Sequence, residues 1–169
     1  MVSFVRLQER LMRLHCRTQG LIPRTVEIDG DTSIHVWLPK HHGHVPKDVD
    51  KKPAAKRAVL LLHGFGASAI WQWQGQLSLL CPHYDVYMPD LVFFVGSTTK
   101  SDRRTEVFQA ECMQQLMKTV GVERYDVVGI SYGGFVAYRY GNSPPPPIPS
   151  DNQERDGQRY AGPLIIGIT

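Results

Sequence analysis

The stretch Tyr125–Tyr140, YDVVGISYGGFVAYRY, constrains the fold of this chain more than any other. An apolar, β-branched run, Tyr125–Ile130, meets a helix-compatible run opening on Tyr132-Gly133-Gly134, with Ser131 at the joint. Gly129-Ile130-Ser131-Tyr132-Gly133 fits G-x-S-x-G, a strand-to-helix turn that lifts a serine hydroxyl above the end of a parallel sheet. The glycines have a steric reason. The serine backbone in such a turn is strained, and a Cβ two residues to either side would collide with the neighbouring strand or helix. Short patterns recur by chance, so an ordinary glycine-rich turn is the alternative. The flanking strand and helix favour a nucleophile-type serine at Ser131.

Upstream, the same strand-then-helix alternation repeats. Ala58–Leu62 is a continuous apolar run, of the kind covered on both faces in a parallel sheet. Ser68 to Leu80 is helical in pattern, and Asp85–Met88 is a further buried strand closed by Pro89-Asp90. Arg104 to Val120 reads as a helix with Val107, Phe108, Cys112, Leu116 and Val120 on its buried stripe, stopped by Gly121. Strand, helix, strand, helix, strand, helix from Ala58 to Tyr140 implies an α/β fold around a parallel sheet. Before it, Thr25–Ile28 and Ser33–Trp37 alternate as half-buried strands joined by Asp29-Gly30-Asp31, a hairpin turn.

The two ends differ from this core. Residues 1–20 form a basic amphipathic helix, with Phe4, Leu7, Leu11 and Leu14 on one face and Arg6, Arg10, Arg13 and Arg17 around the rest. The simplest use of that pattern is a helix packed on the domain. Two others stay open: membrane-surface contact by residues 3–18, and an arginine-rich organelle-targeting segment, against which Glu9 counts. From residue 141 the composition shifts to four consecutive prolines, Pro144–Pro147, and a polar run, Asp151–Arg159. Residues 141–169 read as a proline-rich tail without fixed structure, in which only Leu164–Ile168 is apolar.

Composition excludes several classes. With 169 residues the chain can bury a core, and no apolar run approaches the roughly 20 residues of a transmembrane helix. Residues 1–57 carry 11 Lys/Arg against 6 Asp/Glu, net +5, and the remainder carries 8 against 10, net −2. That imbalance is too mild to argue for nucleic acid. Cys16, Cys81 and Cys112 are odd in number without C-x-x-C spacing, so neither a disulfide framework nor a zinc site is indicated, and a cytoplasmic setting is expected. The only histidine cluster, His41-His42-Gly43-His44, sits between prolines in a lysine-rich loop and reads as solvated. No metal and no cofactor are expected.

Several separated motifs together make the chain resemble an α/β-hydrolase, in particular the plant group labelled epoxide-hydrolase-like or serine hydrolase-like. They are Leu61-Leu62-His63-Gly64-Phe65-Gly66, Trp71-Gln72-Trp73-Gln74, Val86-Tyr87-Met88-Pro89-Asp90-Leu91, Phe93-Phe94-Val95-Gly96-Ser97, Phe108–Cys112 and Val128–Gly134. The resemblance spans residues 20 to 140, and residues 21–140 correspond to the N-terminal half of such a domain, with its motif-bearing core at 58–140. It implies that Ser131 is the nucleophile, and that the backbone N–H groups of Phe65 and Tyr132 form the oxyanion hole. His63, Gly64, Gly66, Asp90, Gly129 and Gly133 then shape the site. Trp71, Trp73, Phe93 and Phe94 are candidates to line an acyl pocket for a small ester or lipid-like substrate. Val95 departs from the pattern, standing where related sequences usually carry glycine.

A serine hydroxyl needs a histidine to take its proton and a carboxylate to orient that histidine, and in this fold both follow the serine. After Ser131 the chain offers only Asp151, Glu154 and Asp156, and all seven histidines precede it. The expectation is therefore an α/β-hydrolase fold cut short after the serine-bearing strand and its helix, as in a splice or gene-model product with a substituted ending. It would be catalytically incomplete by itself, or a non-catalytic ligand- or protein-binding module on the same fold. The strand Tyr125–Ile130 would then present an open sheet edge, a site for a chaperone or partner.

Overall fold

The computed structural model describes residues 4–42, 56–142 and 165–168. Helix α1 spans Phe4–Thr18, and the hairpin follows as β1 (Leu21–Glu27) and β2 (Thr32–Pro39). Then come β3 (Arg57–Leu62), a broken helical segment of α2 (Ala69–Trp73), a 3-10 turn (Gln74–Gln76) and α3 (Leu77–Leu80), and β4 (Tyr84–Pro89). The short β5 (Thr98–Thr99), α4 (Glu106–Thr119), β6 (Tyr125–Ile130), α5 (Tyr132–Asn142) and β7 (Ile165–Ile168) complete the order. The strands form one sheet in the order β1-β2-β4-β3-β6-β7, with β5 pairing β2 beside that path.

The alternation of side chains along each strand sorts the core into two layers. From β3, Ala58, Leu60 and Leu62 point to the side covered by Phe108, Cys112, Met113, Leu116 and Met117 of α4 and by Val136 and Ala137 of α5. Val59 and Leu61 point the other way, onto Ile70 and Trp73 of α2, Leu77 of α3, and Met12 and Cys16 of α1. The parallel pairs β3–β4 and β3–β6 are therefore buried on both faces, which is why their sequences read as unbroken apolar runs. The hairpin β1–β2 joins antiparallel, with Trp37 opposite Met88 of β4. Pro23, which cannot donate to a ladder, falls on the outermost strand β1.

Three sequence expectations are corrected. Helix α1 does pack on the domain, but through Met12 and Cys16, and the stripe Phe4, Leu7, Leu11 and Leu14 faces solvent. Within α4, Val107 is exposed, whereas Gln109 and Met113 join the buried face. The open edge expected on β6 is paired: Val127 to Ile130 run parallel with Ile165 to Ile168, so part of the expected unstructured tail is a strand. Four residues suffice because an apolar edge leaves its N–H and C=O groups without partners, and any compatible apolar segment of the same chain gains by pairing there. Among the described residues β7 is now the terminal strand of the sheet. The four-proline run, the polar stretch after it and His44 lie outside the described residues.

Candidate active site

Ser131 links β6 to α5 and is exposed, with φ of 53°. A non-glycine residue in that left-handed region is held there by its surroundings. Those surroundings are the two glycines. A Cβ on Gly129 would lie 2.1 Å from the carbonyl oxygen of Gly133, and one on Gly133 would lie 2.4 Å from that of Leu62 and 2.6 Å from that of His63. Helix α5 is thus pressed against the ends of β6 and β3, leaving the serine side chain on the outside of the turn. The Ser131 carbonyl then accepts from the N–H groups of Gly134 and Phe135, opening α5. Tyr132 is its first residue, so its N–H has no partner one turn back along the helix.

The loop after β3 lies directly beside the serine, where a Cβ on Gly64 would stand 3.4 Å from Cβ of Ser131. Its neighbour Phe65 is exposed and packs edge-on against the rings of Phe94 (5.4 Å) and Tyr132 (6.1 Å). His63 is fully buried under this cluster, with its ring edge-on to Phe94 at 5.3 Å. Nδ1 of His63 donates to the Gly64 carbonyl across 2.8 Å, and Nε2 accepts from the Leu91 N–H at 2.9 Å. Both nitrogens are occupied, and burial pushes the imidazole below its ordinary pKa. His63 ties the β3 loop to the β4 loop as a neutral ring and has no lone pair to spare for the serine.

Asp90 closes β4 with its carboxylate buried. Oδ1 accepts from the Ala69 N–H and Oδ2 from Nδ1 of His35, each at 2.7 Å. Ser97 adds to the brace by donating to the Asp90 carbonyl at 2.6 Å and accepting from the His35 N–H at 2.9 Å. The carboxylate therefore fixes the start of α2 against β2. Gln109, buried on α4, clamps Val92 from both sides, accepting from its N–H and donating to its carbonyl, each at 2.9 Å. That clamp, missed by motif reading, holds the turn that carries Phe93 and Phe94. Its signal was available: Gln109 is a polar residue three and seven positions before Cys112 and Leu116, on the buried stripe.

An open cleft of about 600 Å³ lies next to the serine turn, lined by Gly66, Ser68, Trp71, Phe93, Phe94 and Val95, with Glu9 of α1 completing the wall. Ser131 is not itself in that lining, and the loop from Gly64 to Gly66 connects the two. Trp71 and Phe93 are part-exposed there, and the Arg104 guanidinium stacks 3.8 Å over the Phe93 ring. Trp73, also a pocket candidate from its motif, is instead buried in the core beneath α2. The turn bearing the cleft aromatics is strained. Phe93 has φ of 72°, and the β-branched Val95 has φ of 46°.

Other nucleophiles and metal donors are placed elsewhere. Burial pushes the Cys16 thiol up to about 11 and the Cys112 thiol to about 12, so both stay protonated. His41 pairs with Asp85 at 3.2 Å and His42 with the Tyr87 hydroxyl at 3.0 Å, both outside the serine cleft. Among the described residues no three His, Cys, Asp or Glu side chains gather as a metal site would require.

Comparisons with known proteins agree with this fold. The chain is 31% identical over 83 residues to uncharacterized proteins of Mycobacterium tuberculosis and Mycobacterium bovis, a match covering 49% of this chain and 24% of theirs. Among solved structures, a membrane phospholipase A described as a bacterial virulence factor superposes with a TM-score of 0.66 at 26% identity, over 83% of this chain and 41% of that one. A protein named as a lipase from Acinetobacter baumannii gives 0.65 at 21% identity, over 85% and 43%. One named as an epoxide hydrolase from Pseudomonas aeruginosa gives 0.57 at 21%, over 72% and 37%. This chain therefore spans about a quarter of the curated relatives and well under half of these solved chains. The family model described as the alpha/beta hydrolase fold matches residues 57–150, more than half of the sequence. With its sheet order, its serine turn and that match, the chain belongs to the alpha/beta hydrolase fold family.

Proposed function

We propose that this chain carries the nucleophile half of a serine-type ester hydrolase site and is catalytically incomplete without an added base. The observation that carries the reading is the exposed, left-handed Ser131 with the Gly64–Phe65 loop packed against its Cβ. In this arrangement Ser131 attacks an ester carbonyl, and the backbone N–H groups of Phe65 and Tyr132 receive the charge that develops on its oxygen. The acyl portion of a small ester or lipid-like substrate lies along Trp71, Phe93 and Phe94. Enzymes of this fold that open epoxides attack carbon with a carboxylate, whereas a hydroxyl at this position suits acyl transfer. The phospholipase and lipase names among the structural neighbours accord with that chemistry.

Among the described residues no histidine is hydrogen-bonded to Ser131: His63 has both nitrogens engaged, and His35 is held by Asp90. Hydrolysis of short p-nitrophenyl esters by this chain is therefore expected to equal that of the Ser131→Ala variant, because loss of the triad base removes several orders of magnitude in rate. Free imidazole at high concentration should raise the rate of the serine form above that of the alanine form. A rate that needs Ser131 without imidazole would overturn the incompleteness. No rescue by imidazole would favour the second reading, a ligand- or partner-binding module in which the apolar cleft captures without turnover.

A further inference from the structure

Helix α1 buries the face its sequence would not select. Its contacts with the domain run through Met12 and Cys16, with Arg13 stacked 6.0 Å from the Trp37 ring and paired to Glu9 at 2.7 Å. The apolar stripe looks outward: Phe4 is 77% exposed, Leu11 59%, Leu14 58% and Leu7 48%. At 3.6 residues per turn these four side chains occupy an arc of about 80°, and Arg6, Arg10 and Arg17 fill the adjoining arc of about 40°. All three arginines are exposed. The helix contains one carboxylate, Glu9, which faces the domain and is neutralised by Arg13. The solvent-facing half of α1 is thus apolar and cationic, with no negative charge.

We propose that this outward face docks on an anionic membrane surface, with Phe4, Leu7, Leu11 and Leu14 inserted among the acyl chains and Arg6, Arg10 and Arg17 at the headgroups. A helix with one strongly apolar face and a basic flank lies in the interfacial plane, its affinity the sum of buried apolar area and attraction to anionic lipid. A second copy packed antiparallel on the same face would bring the arginine rows into opposition, and in either orientation that face offers the arginines no carboxylate, whereas anionic lipid supplies the opposite charge. Among the described residues no helix is long and apolar enough to cross a bilayer, and α1, at 15 residues, lies on the surface instead. The docking does not depend on the chemistry assigned to Ser131.

The test is co-sedimentation of the whole chain with phosphatidylcholine vesicles, with and without a third of the lipid replaced by phosphatidylglycerol. The anionic vesicles should retain the protein and the neutral ones should not, with retention falling as salt rises. Leu7→Ser combined with Leu11→Ser, and Arg6→Glu combined with Arg10→Glu, should each weaken retention by about tenfold or more. All four side chains are exposed, so an unchanged thermal melt shows that the variants remain folded. Retention that ignores lipid charge and both variants would overturn the proposal. So would absence of retention together with a dimer that Leu7→Ser and Leu11→Ser dissociate, which would make the face a self-association surface.

Discussion

The Leu91 N–H donates to Nε2 of His63 across 2.9 Å, and through that bond a buried, neutral imidazole joins the loops that follow β3 and β4. The other nitrogen donates to the Gly64 carbonyl, so a second proton can be added only by breaking the bond from Leu91. Desolvation lowers the folded-state pKa below the ordinary value of 6.5. The unfolded chain therefore binds a proton first as pH falls. The stability contributed by neutral His63 is fully present above about pH 6.5 and is lost as pH drops below it. His42, lowered by burial and by His41, adds in the same direction. The ring resonances of His63 should titrate with a midpoint below 6.5, and the urea midpoint should fall from pH 7.5 to pH 5.5. A His63 midpoint above the ordinary value would contradict the assignment.

Gly133→Ala should be far more damaging than its chemistry suggests. The added methyl would meet two backbone carbonyls inside 3 Å, and neither can move without separating α5 from β3. A loss of about 3 kcal/mol or more is expected, at the upper end for overpacking. Gly75→Ala is the control, because nothing lies within 4 Å of a Cβ there. Chemical denaturation of the two variants measures the contrast, and similar losses in both would show that the close approach at Gly133 is relaxed in solution.

Val95→Gly should stabilise the protein. Valine at φ of 46° sets a β-branched side chain in the left-handed region at a penalty of roughly 1–2 kcal/mol, and glycine returns only part of that through greater freedom when unfolded. The side chain is exposed, so little burial is lost. A net gain of up to about 1 kcal/mol is expected. A lower melting temperature in the glycine variant would mean that the strain is offset by contacts along the cleft wall.

Gln109→Leu keeps the volume in the α4 core but strips both hydrogen bonds from buried Val92. Leaving that N–H and carbonyl unpaired should cost about 2–4 kcal/mol in all. The same change frees the Phe93–Phe94 turn, so quenching of Trp71 fluorescence by a neutral quencher should rise more than that of Trp37 and Trp73. Equal quenching would restrict Gln109 to a core role.

The sequence announced β3, β4 and β6 clearly, because a strand covered on both faces leaves few alternatives to an apolar run. The turn at Ser131 was legible for a related reason: Gly129 and Gly133 stand where any Cβ would strike backbone. Helix α1 was misread because periodicity reports that a helix has an apolar face and not which neighbour that face meets. Trp71 and Trp73 share one motif, yet one lines the cleft and the other fills the core, since positions two apart on a helix point in different directions. Leu164–Ile168 was legible as the only later segment able to pair with β6, but its shortness and its Gly167, after a long proline-rich and polar stretch, argued for a weak strand, whereas Ile165–Ile168 does pair. The braces made by Asp90 with His35 and by Gln109 with Val92 join residues far apart in the chain, and no local pattern announces them.

The strand order also bears on the route by which the molecule folds. β3 sits in the sheet between β4 and β6, and its Ala58 must find Tyr125 after α4 and two further strands have been made. β2 waits in the same way for Pro89 and Thr98 before it has anything but β1 beside it. Pairings between such distant segments are slow to form, because loop entropy is lost before contacts compensate it. On a ribosome the hairpin, β3 and β4 can consolidate early, whereas the strained serine turn closes only when β6 arrives against β3. The turn at Ser131 is accordingly among the later parts of the protein to become rigid.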